Sequence, residues 1–183
     1  MKVIKVAGLV LGLVLFVASA RADVLTVDAG WIAFCFAGNG APATDTGCVD
    51  QPPGVGNPID ITVPGGGADL IVTDAFLHGA AFDVYEGGNL ILSTPSVTVD
   101  NVSTCGPGSG FESDPNCAYA DPLYSHGSVL LSAGLHTIDI FARISGYGGG
   151  EGFVQATSVP EPTTLALLAS GLGALLLRRR RRS

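Results

Sequence analysis

Hydrophobic residues follow two different patterns along this chain. An apolar run from Val6 to Val17 and a second uncharged run over residues 163–177 lie near its two ends. Between them, short segments rich in β-branched and aromatic residues are separated by glycine, proline, aspartate and asparagine. Partial alternation of apolar and polar residues with a period of two is typical of strands that bury one face. The pattern therefore predicts a β-sheet domain between two segments that interact with a membrane.

Residues 23–158 contain the predicted strands and no window with a helical period. The sequence Glu86-Gly87-Gly88-Asn89 predicts the clearest hairpin, and Ser132-Ala133-Gly134 predicts a second. The glycine-rich stretch 146–152 is predicted to be a flexible loop. The predicted strands are Val24–Val27, Trp31–Phe36, Ile59–Val63, Ala68–Phe76, Phe82–Tyr85, Leu90–Leu92, Val97–Val99, Ser128–Leu131, Leu135–Ile144 and Phe153–Ala156. Short strands, many turns and no helices predict an all-β domain, an antiparallel β-sandwich that is jelly-roll-like, followed by a single C-terminal transmembrane helix.

The N-terminal segment, residues 1–22, has the layout of a secretory signal peptide. Lys2 and Lys5 precede the apolar run, and the small residues Ala18-Ser19-Ala20 end it. Cleavage fits after Ala20 or after Ala22, and the sequence does not choose between them. The alternative, an uncleaved anchor, is disfavoured because the run is short. This segment predicts export through the Sec translocation machinery.

The C-terminal segment, residues 159–183, combines a rigid motif, an apolar helix and a basic stop. Two prolines fix φ in the motif and keep it extended. The apolar run 163–177 is 15 residues long, roughly 22 Å as a helix, so it spans a bilayer only marginally. Five arginines are expected to stay on the cytoplasmic side. The motif residues are Val159, Pro160, Glu161 and Pro162, and the stop residues are Arg178, Arg179, Arg180, Arg181 and Arg182.

This order of motif, helix and basic cluster resembles the PEP-CTERM sorting tail of Gram-negative bacteria that make exopolysaccharide. The resemblance covers about 25 residues and implies recognition and cleavage near Pro160-Glu161-Pro162 by an exosortase, a multispanning membrane enzyme. It implies that the tail is a substrate and not a catalyst. The precursor is then expected to be held in the inner membrane before it reaches the cell surface or the medium.

The charge of the predicted exported domain differs strongly from that of the whole chain. The full sequence has a net charge of -7, but residues 23–158 contain Arg143 as their single basic residue and 15 acidic residues, which gives -14. Such a field repels nucleic acid and anionic lipid, so neither is expected as a partner. It suits divalent cations or neutral polysaccharide, although solubility outside the cytoplasm is the simpler explanation.

Four cysteines lie in the exported part: Cys35, Cys48, Cys105 and Cys117. An even number in an oxidising compartment predicts disulfide bonds, and three connectivities are possible. The local pairs Cys35 with Cys48 and Cys105 with Cys117 are favoured, because each closes a loop rich in turn-forming residues. A structural metal site is the alternative, but neither a Cys-x-x-Cys motif nor clustered histidines support it.

Other candidate chemistry is sparse. Ser125-His126 invites comparison with a catalytic triad, but no nucleophile motif accompanies it or the other histidines, His78 and His136. Asp74, Asp83 and Glu86 could supply oxygen ligands for calcium, although no calcium-loop motif orders them. Aromatic residues that could bind sugar rings are Trp31, Tyr85, Tyr119, Tyr124 and Tyr147. The sequence therefore assigns no catalytic residue, metal or cofactor.

The function expected from the sequence is that of a structural or interaction protein of the cell surface or extracellular matrix. The expected role is not enzymatic and is linked to exopolysaccharide. A carbohydrate-binding module is the alternative, and a secreted hydrolase is a weaker one.

Overall fold

A computed structural model describes residues 22–50, 54–108 and 112–160 of the protein. The predicted signal peptide up to residue 21, and the tail from Glu161 onward, lie outside the described residues. The elements are β1 (Asp23–Val24), β2 (Ile32–Phe36), β3 (Ile59–Val63), β4 (Ala68–Asp74), β5 (Ala81–Glu86), β6 (Asn89–Ser93), α1 (Pro115–Ala120), β7 (His126–Leu131), β8 (Gly134–Ile144) and β9 (Gly150–Ser158).

The strands form two sheets that enclose one hydrophobic core. One sheet has the order β1-β3-β8-β5-β6 and the other β2-β9-β4-β7. All pairings are antiparallel except that of β1 with β3. Phe34 and Phe82, one from each sheet, meet edge to face with ring centroids 5.1 Å apart. The all-β expectation is thus confirmed at the level of two antiparallel-rich sheets.

Only one of the two predicted hairpins exists. β5 pairs with β6 around the Gly87-Gly88 turn, as the sequence predicts. β7 and β8, however, belong to different sheets, so the Ser132-Ala133 turn carries the chain from one sheet to the other. The prediction of a second hairpin is wrong because a short turn has the same sequence signal whether it joins two strands of one sheet or two strands of different sheets.

Two further local predictions are wrong. Val97–Val99 is not a strand; Val99 instead packs against Gly79 and Gly146, whose added Cβ atoms would lie 2.8 Å from its methyl groups. The expectation of no helix fails at α1, where the Asp114 side chain caps the Asn116 N–H at 2.9 Å and Pro115 occupies the first turn. Aspartate followed by proline is a helix-start signal, but six residues are too few to establish a period.

The two ends of the sandwich differ, and we call them the tail pole and the distal pole. The tail pole comprises the turns 64–67, 87–88 and 132–133 together with the end of β9 at Ser158. The distal pole comprises the β4–β5 and β8–β9 loops, and the described parts of the two long connections β2–β3 and β6–β7. The β1–β2 connection, residues 25–31, also reaches the tail pole through Asp28, and the two connections longer than seven residues both lie at the distal pole.

Both disulfides lie at or beside the distal pole. Cys35 is bonded to Cys48, and Cys105 to Cys117. These are the two local pairs that the sequence favours, and each ties part of a long connection. Within the ranges described above, no helix is long and apolar enough to cross a bilayer; the predicted helix 163–177 lies outside them.

Candidate functional site

A cavity of about 470 Å³ opens at the distal pole. The segment 44–50 forms one wall, and the start of β9 with the end of β2 forms the other. A smaller cavity of about 90 Å³ adjoins it and reaches Asp74. The larger cavity is lined by Cys35, Phe36, Ala37, Thr44, Thr46, Gly47, Val49, Phe76, Gly150 and Glu151. The lining is mostly apolar, and Glu151 is the one ionisable side chain among these residues.

Glu151 lies at the start of β9 with only 4% of its surface exposed. Its Oε2 accepts hydrogen bonds from the N–H groups of Val49, at 2.8 Å, and Asp50, at 3.4 Å. The same oxygen lies 3.9 Å from the Cys35 sulfur. One carboxyl group thus connects β9 to the segment that forms the opposite wall.

The second carboxyl oxygen of Glu151, Oε1, lacks the hydrogen-bond donors that Oε2 has. Oε1 is buried without a conventional donor among the described residues, and so is Oδ2 of Asp50. Asp50 and Glu151 are neighbours, since the Asp50 N–H lies 3.4 Å from Glu151 Oε2. Burial, reinforced by the neighbouring Asp50 carboxyl, raises the pKa of Glu151 to about 7, against the opposing effect of the two backbone N–H donors. The site therefore favours a proton at this position.

Asp74 ends β4 and is, after Glu151 and Asp50, the third buried acid of the distal pole, with 1% of its surface exposed. Its carboxylate accepts from the N–H groups of Ala75, Gly79 and Ala80 at 2.9, 3.2 and 2.9 Å. Burial raises the pKa of Asp74 to about 7, although these three donors favour the charged form. Asp74 holds the β4–β5 loop in place from within.

Phe76, which lines both cavities, has the left-handed backbone conformation with φ of 58°. A residue with a Cβ adopts this conformation only when its surroundings impose it. Here the Phe76 N–H donates to Ser113 Oγ at 3.2 Å, and its carbonyl accepts from the Tyr124 hydroxyl at 3.0 Å. The wall of the cavity is therefore fixed by the loop behind it.

Sequence reasoning missed this acid. The stretch 146–152 was predicted to be a flexible loop, whereas β9 begins at Gly150 and includes Glu151. The glycines are explained by contact: a Cβ at Gly152 would lie 2.6 Å from the Phe34 ring, and one at Gly150 would lie 2.8 Å from the Phe36 ring. The sequence signal that could have indicated a functional acid was Glu151 itself, a single charged residue within a run of glycines.

The three acids considered for calcium do not converge. Asp74 binds backbone N–H groups at the distal pole. Asp83 accepts from Arg143 at 3.1 Å and from Ser93 at 2.6 Å, while Glu86 contacts His136 at 2.6 Å near the tail pole. Each acid has its own partners, so these residues form no common cation site.

The Ser125-His126 pair has no nucleophile–base geometry. Ser125 Oγ is bonded to Thr94 Oγ1 at 2.6 Å and to the Pro95 carbonyl at 2.5 Å. His126 Nδ1 faces the Tyr124 carbonyl at 2.9 Å. His78 is buried and bonds Asp100 at 3.0 Å. These contacts are structural.

The five candidate aromatic residues are scattered. Tyr124 is fully buried and Tyr85 packs against Phe141. Tyr147 is exposed and its hydroxyl is bonded to the N–H of Asn101. Only Trp31 and Tyr119 lie together, both partly exposed, with ring centroids 5.9 Å apart.

The Cys35–Cys48 sulfurs and the Glu151 carboxyl lie within 4.8 Å of one another. Thiolates would make this a metal-binding set, but the two sulfurs are bonded to each other. The cluster is therefore a disulfide beside a carboxyl group.

At the tail pole, the last residues of β9 are fixed immediately before the motif. Ser158 N–H donates to Asp28 Oδ1 at 2.8 Å, and Val159 N–H donates to the Gly67 carbonyl at 3.0 Å. Comparison with known protein families matches residues 158–182 to the PEP-CTERM protein-sorting motif. The chain carries a PEP-CTERM sorting motif.

The PEP-CTERM motif is a membrane-associated sorting signal of exported proteins, and it implies processing by an exosortase. No curated protein matches the chain. Among solved structures, a β-glucosidase from Kluyveromyces marxianus in complex with glucose aligns with 84% of this chain and 20% of its own, at 14% identity and a TM-score of 0.30. A likeness at that level carries no argument about fold or activity.

Proposed function

We propose that this chain is a non-enzymatic surface or matrix protein. In this proposal it is held in the inner membrane by its tail and released or transferred near Pro160-Glu161-Pro162. Its distal pole then mediates interactions linked to exopolysaccharide.

The observation that carries the proposal is the position of the sorting motif relative to the fold. The motif match begins at residue 158, and β9 ends at Ser158 with its last amide bonded to Asp28. No described linker separates the domain from the motif. The distal pole, with its long loops, disulfides and cavity, therefore lies at the far end of the sandwich from the segment that an exosortase would hold.

The sandwich itself supports a binding or structural role. We infer a jelly roll, because every connection from β2 to β9 except the β5–β6 hairpin passes between the sheets. The Ser125 and His126 contacts supply no nucleophile and base, which favours a role without catalysis.

The proposal is tested by deleting residues 161–183, which removes none of the described residues. Wild-type protein is expected at the cell surface or in the medium, and the truncated protein is expected to accumulate in the periplasm. Fractionation with antibody detection measures both, and Glu112→Gln provides a full-length control. An unchanged distribution of the truncated protein would contradict the proposal.

A carbohydrate-binding module is a second candidate because of Trp31 and Tyr119. Their neighbouring rings, with Trp31 Nε1 fixed by Asn116 Oδ1 at 2.9 Å, could stack on a sugar ring. Binding of the purified domain to a glycan array should then be lost in Trp31→Ala and retained in Tyr147→Ala. Equal binding by both variants would exclude this surface.

A further inference from the structure

We propose that Asp50 and Glu151 share one proton between their buried carboxyl groups, and that loss of this proton releases the end of the 44–50 segment from β9 and opens the distal cavity. This inference does not rest on the proposed function.

The geometry of the pair requires a proton. Asp50 Oδ1 accepts from the Glu112 N–H at 2.5 Å, and Glu151 Oε2 accepts from the Val49 N–H at 2.8 Å. The remaining oxygens, Oδ2 and Oε1, are buried without another donor in the described part of the chain. Two ionised carboxylates have no hydrogen to place between them, whereas one carboxylic acid can donate to the other carboxylate. One proton placed between Oδ2 and Oε1 would give both buried oxygens a partner.

The connections of the 44–50 segment define what would move. Its first residue, Thr44, exchanges two backbone hydrogen bonds with Cys35 at 2.8 and 2.9 Å. Cys48 is fixed by its disulfide. Val49 and Asp50 lie beyond that anchor, and both donate N–H groups to Glu151. The carboxyl pair thus closes the wall of the cavity at Val49, and Cys48 is the hinge.

The surroundings do not stabilise a doubly ionised pair. Asp74 lines the adjoining cavity from the end of β4, Glu112 lies on the opposing loop with its side chain exposed, and Asp45 is exposed on the segment itself. From β2, Glu151 faces the uncharged disulfide. Arg143, the one Lys or Arg side chain within the described ranges, is bonded to Asp83. Two buried anions would therefore repel without a compensating cation.

The direction in which pH shifts the opening of the cavity follows from the pKa of Glu151, which burial and Asp50 raise to about 7. Below that pH the pair keeps its proton and the cavity wall is closed. Above it, release of one proton favours the open form, and the opening equilibrium shifts by up to about tenfold per pH unit. Access to the cavity is consequently greater under mildly alkaline conditions.

Hydrogen exchange of the full protein purified from cells tests this directly. After correction for intrinsic rates, protection of the Val49 and Asp50 amides in the wild type should fall by about tenfold or more between about pH 6 and pH 8, whereas that of Thr44 should not. Protection of β3 should not change. Glu151→Gln replaces the carboxyl group by an amide that does not titrate but can still donate an N–H to Asp50. The Val49 and Asp50 amides of this variant should therefore stay protected at both pH values. Glu112→Gln, which removes an exposed carboxyl of the same pole, should behave as the wild type.

Three results would overturn the proposal: a wild-type profile without pH dependence, an unchanged transition in Glu151→Gln, or protection at about pH 8 restored by calcium, which would make the pair a cation site. If Glu151→Gln does not fold, Asp50→Asn serves instead. Its amide can donate to the Glu151 carboxylate, and a transition as steep as in the wild type would equally contradict a shared proton.

Discussion

The tail pole and the distal pole are built from the same strands but held in different ways. Three turns of two to four residues and the seven-residue β1–β2 connection close the tail pole, and backbone or Asp28 hydrogen bonds fix the end of β9. The distal pole has long connections fixed by two disulfides and by the buried carboxyl groups of Asp74 and Glu151. Short turns stabilise themselves, whereas long loops need covalent and polar ties that also place chemical groups at the surface of a cavity. In the proposed function, the tail pole serves sorting and the distal pole serves interaction.

The largest expected effect comes from removing a distal disulfide. Replacing Cys35 and Cys48 by serine should lower the free energy of unfolding by about 2–4 kcal/mol, because the closed loop regains freedom in the unfolded chain. Urea denaturation measures the loss, and hydrogen exchange should rise first in residues 44–50. Faster exchange in the turn 64–67 than in that segment would contradict the proposed difference between the poles. The pair Cys105→Ser and Cys117→Ser provides the matched comparison.

Asp74→Asn is expected to have the next largest effect. The amide nitrogen would face the N–H groups of Gly79 or Ala80, or of Ala75, and leave buried donors without an acceptor. That should cost about 1–3 kcal/mol of stability. Asp69→Asn, on the same strand near the tail pole, should change the denaturation midpoint much less. Similar losses for both variants would indicate a general charge effect.

The pH dependence of the two poles should have opposite signs. Asp74 and Glu151 have pKa values raised to about 7, so between about pH 4 and pH 7 the folded state binds more protons than the unfolded chain. Their contribution is complete below about pH 4 and is lost progressively as the pH rises to about 7. At the tail pole, the Ser158 hydrogen bonds lower the pKa of Asp28, so its contribution is present at higher pH and lost as the pH falls.

Denaturation of the wild type at about pH 4.5 and pH 7.5 measures the distal contribution. Glu151→Gln should reduce the decline, and the part that Asp74 contributes should remain. An equally steep decline in that variant would assign it to other groups.

The smallest effect is expected for Asp28→Asn. An amide oxygen can still accept from the Ser158 N–H, but the charge that strengthens this exposed bond is removed. The melting temperature should fall by less than about 2 °C, and exchange should increase only at the last residues of β9. A larger fall, or faster exchange at the distal pole, would show that the poles are not independent.

The sequence predicted local features better than the arrangement of the sheets. The Glu86-Gly87-Gly88-Asn89 hairpin and the two disulfide pairs were predictable because each depends on residues close together in the chain. The division of β7 and β8 between sheets depends on burial in three dimensions, which a turn motif does not encode. Glu151 was missed for a related reason. Its environment comes from Val49 and Asp50, about 100 residues away in sequence.

The central claim, that the domain ends where an exosortase acts, is tested most directly by the intact mass of the protein isolated from the cell surface or medium. A C-terminus at or near Pro160-Glu161-Pro162, with both disulfides formed, is the predicted result. A mature protein that still contains the apolar run and Arg178 to Arg182 would contradict it.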